Sequence, residues 1–131
     1  MNKKLIEYVN SWLDKANHDL AAAQRLIEIE PVILDVGCFH CQQAIEKFLK
    51  AYLVFKGNDI KKTHSIDFLL QECAELDSDF KLIDPKNIED YAVKGRYPDD
   101  SVMPSLNETN EYYTIATNVK LLVNKKVCVV E

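Results

Sequence analysis

Glycine and proline are scarce in this chain, with three Gly and four Pro among 131 residues. Few positions can therefore form the tight turns of β-hairpins. Alternating apolar and polar residues are also absent, apart from the last residues, Val127–Val130. Apolar residues instead recur at helical spacing through most of the chain. We expect an all-α fold.

A long apolar run and an excess of basic residues are lacking too. Polar residues interrupt the pattern behind Lys3 and Lys4, so we expect no signal peptide and no association with a membrane. The formal net charge of −5 argues against coating nucleic acid through bulk charge but leaves room for a local basic groove. Four cysteines without secretory features are expected to be reduced thiols in a cytoplasmic protein.

Length and composition predict one domain, residues 1–131, because 47% hydrophobic residues suffice for a single core. We expect five helices in a single up-and-down bundle with short connections, and the tail after about residue 124 is left unassigned. The predicted helices run from about Lys4 to Glu28, from Pro31 or Asp35 to about Lys56, from a cap at Thr63 or Ser65 through Ala74, from Asp84-Pro85 to about Gly95, and from the capping box Ser105–Glu108 through Val123.

The second predicted helix carries both a wide apolar arc and a compact polar stripe. At 100° per residue, its polar side chains fall within roughly 80° of one another. They are His40, Gln43, Lys47 and Lys50. An apolar arc that includes Phe48 adjoins this stripe, so we expect the helix to be buried on more than one side, at the centre of the bundle. Polar groups beside a core favour fixed hydrogen bonds, which makes the stripe a candidate site lining a groove.

Two further segments offer polar groups to the same site. His64 precedes a predicted helix N-terminus, where anions bind, although capping or packing is an equally good role for it. Arg96 is one of only two arginines, and its planar guanidinium suits either a phosphate clamp beside Tyr97 or a salt bridge to Glu46. The residues expected to bind a phosphate-bearing ligand are therefore His40, Gln43, Lys47, Lys50, His64, Arg96 and Tyr97.

Cys38 and Cys41 have CxxC spacing, with His40 between them. A structural zinc site needs four ligands, however, and neither Cys73 nor Cys128 has a nearby partner. A redox CxxC belongs at a helix N-terminus on an α/β scaffold. We interpret these cysteines as buried thiols and predict no metal and no cofactor. Gly-rich phosphate loops, nucleophile elbows and HExxH motifs are absent from the sequence.

These residues together resemble the HEPN domain, a family of small helical proteins, and the resemblance covers nearly the whole chain. The motifs that carry it are Trp12 with Ala16 and Asp19-Leu20, the block Cys38–Ala51, Lys62–His64 and Arg96–Pro98. The resemblance implies a helical bundle similar to nucleotidyltransferase substrate-binding subunits, commonly a homodimer. It also implies a minimal nucleotidyltransferase as partner, in many cases within a toxin–antitoxin module.

Many members of this family are metal-independent ribonucleases that use an Arg followed four to six residues later by His. Neither Arg25 nor Arg96 is followed by His at that spacing. The first hypothesis is therefore a non-catalytic subunit that binds a nucleotide or RNA phosphate group, or a nucleotidyltransferase. The second is a metal-independent endoribonuclease with a displaced site, such as His40 or His64 with Arg96. In a third, the stripe is a structural network that fixes the second helix against the fourth.

Overall fold

The computed structural model of this chain describes residues 2–92 and 103–127. It contains four α-helices: Lys3–Glu28 (α1), Leu34–Phe55 (α2), Ile66–Leu76 (α3) and Leu106–Lys126 (α4). Two short 3-10 helices, Ser78–Leu82 and Ile88–Ala92, lie between α3 and α4. Residues 2–92 and 103–127 contain no strand, so the all-α prediction is confirmed. None of the described helices is long and apolar enough to cross a membrane.

The predicted fourth helix, which was expected to begin at Asp84-Pro85, is not an α-helix in the structure. The described bundle therefore has four α-helices and not five. Asp84 Oδ1 accepts a hydrogen bond from Lys86 N at 3.0 Å, and Pro85 O accepts one from Ile88 N at 3.2 Å. Such short-range bonds hold the segment in tight turns, which lead into the 3-10 helix Ile88–Ala92. Gly95, the expected end of this helix, lies outside the described residues.

The predicted ends of the other helices are formed by local hydrogen bonds. The Ser65 and Ser105 hydroxyls each accept a hydrogen bond from the backbone N–H three residues later, capping α3 and α4. Beyond α2, Gly57 adopts φ +84, and the next N–H, of Asn58, donates to Leu53 O at 2.9 Å. This is the Schellman arrangement, which requires a left-handed residue and therefore favours glycine.

Helix α2 is the centre of the bundle, as its sequence predicts. It packs along α1 and also contacts α3, α4 and the second 3-10 helix. Fourteen of its 22 residues are buried, and Gln42, Glu46 and Lys50 are among them. Buried polar groups must find partners within the protein, because water cannot reach them. The packing of α2 therefore determines how the predicted polar stripe is satisfied.

Candidate functional site

A carboxylate on α2 joins two of the predicted site residues. The Glu46 and Lys50 side chains lie one helical turn apart and are only 5% and 7% exposed. Lys50 Nζ is 3.0 Å from Glu46 Oε2, and His64 Nδ1 is 2.9 Å from Glu46 Oε1. The His64 side chain itself is 73% exposed. A buried anion thus holds a surface imidazole in place.

Gln42 also holds the connection between α2 and α3, which carries His64, against α2. Its Nε2 donates to the backbone oxygen of His64 at 3.2 Å, and its Oε1 accepts from Gln43 Nε2 at 2.8 Å. Gln42 is fully buried and was not among the predicted site residues. The signal was present in the sequence, since Gln42 and Glu46 form a row at intervals of four residues with Lys50, which belongs to the stripe.

A second carboxylate, from α1, holds the other half of the stripe. One oxygen of Asp19 is 2.9 Å from His40 Nδ1, and the other is hydrogen-bonded to Lys47 Nζ. The sequence places Lys47 and Lys50 on the same stripe as His40, whereas the partner of His40 in the structure is an anion. Asp19 belongs to the motifs on which the family resemblance rests, but the sequence did not predict it as part of this site.

Trp12 lies beside these clusters at the α1–α2 contact. Its ring centroid is 5.7 Å from Lys50 Nζ, within the range of a cation–π interaction. The indole Nε1 is buried and has no hydrogen-bond partner among the residues that the structure describes. Trp12 and Asp19 are seven residues apart on α1, so both lie on the face that packs against α2.

The positive charge of the stripe is compensated inside the fold. Lys47 is paired with Asp19, and Lys50 is paired with Glu46. The stripe therefore forms two carboxylate-centred clusters and does not present free cations in a groove. The most exposed polar group that these clusters hold is the His64 imidazole.

Two of the predicted ligand-binding residues, Arg96 and Tyr97, lie outside the described residues. The structure therefore gives neither a position in this site. Among the residues it describes, the partners of Glu46 are Lys50, His64 and Gln42.

The three cysteines that the structure describes are packed as apolar residues. Cys38, Cys41 and Cys73 are free and fully buried, and Cys128 lies outside the described residues. Burial raises the pKa of Cys38 to about 11 and that of Cys73 to about 12, and it raises the pKa of Cys41 as well. These thiols therefore stay protonated at neutral pH, when they are poor nucleophiles. In residues 2–92 and 103–127, no group of three or more His, Cys, Asp or Glu residues is arranged to hold a metal ion.

Comparison with known proteins identifies the family. A model of the HEPN domain matches residues 9–126. This chain belongs to the HEPN family. The match includes both carboxylate clusters, so the candidate site is part of the HEPN domain itself. No curated protein matches the sequence.

Solved structures show the same HEPN bundle. The crystal structure of TT1696 from Thermus thermophilus is similar with a TM-score of 0.69 and 26% identity, over 91% of this chain and 98% of that one. ST0689, an archaeal HEPN homologue, is similar with a TM-score of 0.65 and 23% identity, over 90% and 96% of the two chains. At 23% identity, the similarity to ST0689 shows a common fold and nothing about function.

Proposed function

We propose that this HEPN domain is a non-catalytic binding subunit that holds a phosphate group of a nucleotide or RNA at His64. The observation that carries the proposal is the exposed His64 ring anchored by the buried Glu46 carboxylate. An ionised carboxylate only accepts hydrogen bonds, so Nδ1–H donates to Glu46. The other ring nitrogen, Nε2, is then the one that meets a ligand, and in the protonated ring it donates a charge-assisted hydrogen bond to a phosphate oxygen.

The chain around His64 supports an anionic ligand. Lys61 and Lys62 are exposed in the same connection between α2 and α3. Neither forms an ion pair with any residue in the part of the chain that the structure describes. Unpaired lysines beside an anchored imidazole create a local positive potential on a protein whose net charge is −5.

A binding role fits the two histidines better than a shared catalytic pair does. His40 is held by Asp19 on α1, whereas His64 is held by Glu46 on α2. The two imidazoles are thus anchored to separate carboxylates, one on each of these two helices.

The test is calorimetric titration with AMP, ADP and a short single-stranded RNA. His64→Ala should weaken binding by roughly 1–3 kcal/mol, as expected for a charge-assisted hydrogen bond. His18→Ala is the matched control, because His18 is an exposed histidine on α1 and not a residue of this connection, so affinity should be unchanged. Equal affinity in wild type and in folded His64→Ala protein would contradict the proposal.

A metal-independent ribonuclease is the second candidate, because carboxylate-oriented imidazoles are also the geometry of general acid–base catalysis. We expect no cleavage of structured or single-stranded RNA by the purified protein, since the Arg-to-His spacing of the nuclease members is missing. Cleavage that disappears in both His64→Ala and Arg96→Ala variants would establish the enzyme and overturn the binding subunit.

We further propose a minimal nucleotidyltransferase as partner, in a two-component module of toxin–antitoxin type. The family resemblance supports this partner. A gene for a small nucleotidyltransferase beside the gene for this chain, and co-elution of the two purified proteins, are the expected results. Separate elution of the two proteins at micromolar concentration would contradict the pairing.

A further inference from the structure

One lysine in the described chain lacks the counter-ion that comparable lysines have. Four lysines are at least partly buried, and they are Lys47, Lys50, Lys120 and Lys126. The first two pair with Asp19 and Glu46, and Lys126 Nζ lies 2.9 and 2.6 Å from two carboxylates of the α3–3-10 region. Within residues 2–92 and 103–127, Lys120 has no ion pair. Its ammonium is therefore not neutralised by a carboxylate of the described chain and remains available to an anion from outside it.

Lys120 lines a cleft between α1 and α4. Both helices pack on α2 but contact each other far less, which leaves a gap of about 370 Å³ between them. The cleft is lined by Asn17, Leu20, Ala21, Gln24, Tyr113 and Lys120. This volume lies within the usual size range of small-molecule sites.

The lining combines hydrogen-bond donors with an apolar floor. Burial raises the pKa of the Tyr113 hydroxyl, which therefore remains a donor at neutral pH. Asn17 Nδ2 donates to Leu13 O at 2.9 Å, and this leaves its side-chain oxygen as an acceptor. Leu20 and Ala21 supply apolar surface between these polar groups. An ammonium and a hydroxyl over an apolar floor suit a molecule with an anionic end and an apolar body.

We propose that the α1–α4 cleft is a second binding site, for a small organic molecule whose terminal oxyanion pairs with Lys120 Nζ and accepts from the Tyr113 hydroxyl. Ala21 lies about 200° around α1 from Asp19, so the cleft opens on the opposite side of that helix from the stripe. The proposal is therefore independent of ligand binding at His64.

The experiment is a titration followed by two-dimensional ¹H–¹⁵N NMR, with benzoate, phenyl phosphate and neutral benzamide as probes. We expect chemical-shift changes around Ala21 and Lys120 with the two anions and none there with benzamide. The tighter of the two anions shows whether the natural ligand carries a carboxylate or a phosphate. Lys120→Gln should weaken anion binding about ten- to hundredfold, whereas Lys15→Gln, which removes an exposed charge from α1, should not change it.

A cleft-filling variant supplies an independent check. Ala21→Leu should block the anions without unfolding α1, because leucine is a good helix former and this position is exposed to solvent. His64→Ala should bind the probes as the wild type does, so failure at one site is distinguishable from failure at the other. Absence of shifts at roughly 10 mM anion, equal shifts with benzamide, or unaltered affinity in folded Lys120→Gln protein would each overturn the proposal.

Discussion

Replacing Lys50 by methionine should reveal how strongly the fold depends on the buried Glu46 carboxylate. Breaking a buried ion pair from one side typically costs about 3–5 kcal/mol, because the remaining charge is left in a poorly solvated place. Here Glu46 keeps the His64 donor at 2.9 Å and a weak contact with Gln42 at 3.5 Å. We therefore expect Lys50→Met to lower the free energy of unfolding by about 2–3 kcal/mol. Methionine fills a similar volume and still packs against Trp12, so a cavity contributes little.

The partner substitution supplies the other arm of a double-mutant cycle. Glu46→Leu leaves the Lys50 ammonium buried without a carboxylate and should cost about 3–5 kcal/mol. The double variant Lys50→Met/Glu46→Leu removes both charges and should be more stable than either single variant. His64 is exposed, so water can replace Glu46 as its partner.

Urea unfolding followed by circular dichroism measures these free energies, and unchanged m-values would show that the unfolding transition is comparable. Lys15→Met, at an exposed position of α1, is the control and should stay within about 0.5 kcal/mol of wild type. A Lys50→Met midpoint equal to that of wild type would refute the argument. The argument would also be refuted if the double variant lost as much free energy of unfolding as the two single variants together, because the pair would then contribute no coupling energy.

Two further predictions concern assembly and acid stability. We expect a homodimer, because side chains such as Ile29 and Ile33 are exposed apolar groups, and sedimentation equilibrium showing only monomer at tens of micromolar would contradict it. The pKa of Asp77 lies below its ordinary value of 3.8, through a backbone hydrogen bond and the nearby Lys126 ammonium. The folded state therefore binds this proton less readily than the unfolded state, and stability falls as pH drops below about 4. Asp77→Asn should flatten that fall, and an identical acid-unfolding curve would argue against it.

Helix ends were predictable because their signals are local. The hydroxyls of Ser65 and Ser105 precede a helix, and Gly57 follows one. Each acts on backbone groups only a few residues away. The segment after Asp84-Pro85 was not predictable in the same way. Its start matches that of an α-helix, but the short 3-10 helix is held by turn hydrogen bonds and by burial of Ile88 in the core of the bundle.

The residues of the stripe were predictable, but their electrostatic environment was not. Helical periodicity gives angles around one helix, and on that basis His40 and Lys47 do share a partner. That partner, Asp19, comes from α1, and no pattern within α2 identifies a charge on the helix that faces it. A groove with free positive charge was therefore expected where the fold has paired charges. Glu46 was recognised as an ion-pair partner, and Arg96, the partner proposed for it, lies outside the described residues.

Acidic composition explains why paired lysines carry little information about ligands in this protein. With 21 acidic against 16 basic residues, a lysine that leaves water has many carboxylates available to it. Pairing is then the expected result of burial and indicates structure as readily as function. Lys120 has no such pair within residues 2–92 and 103–127, so its charge is not neutralised inside the described fold. For this reason Lys120, which no sequence motif singles out, is a stronger indication of a bound anion than Lys47 or Lys50.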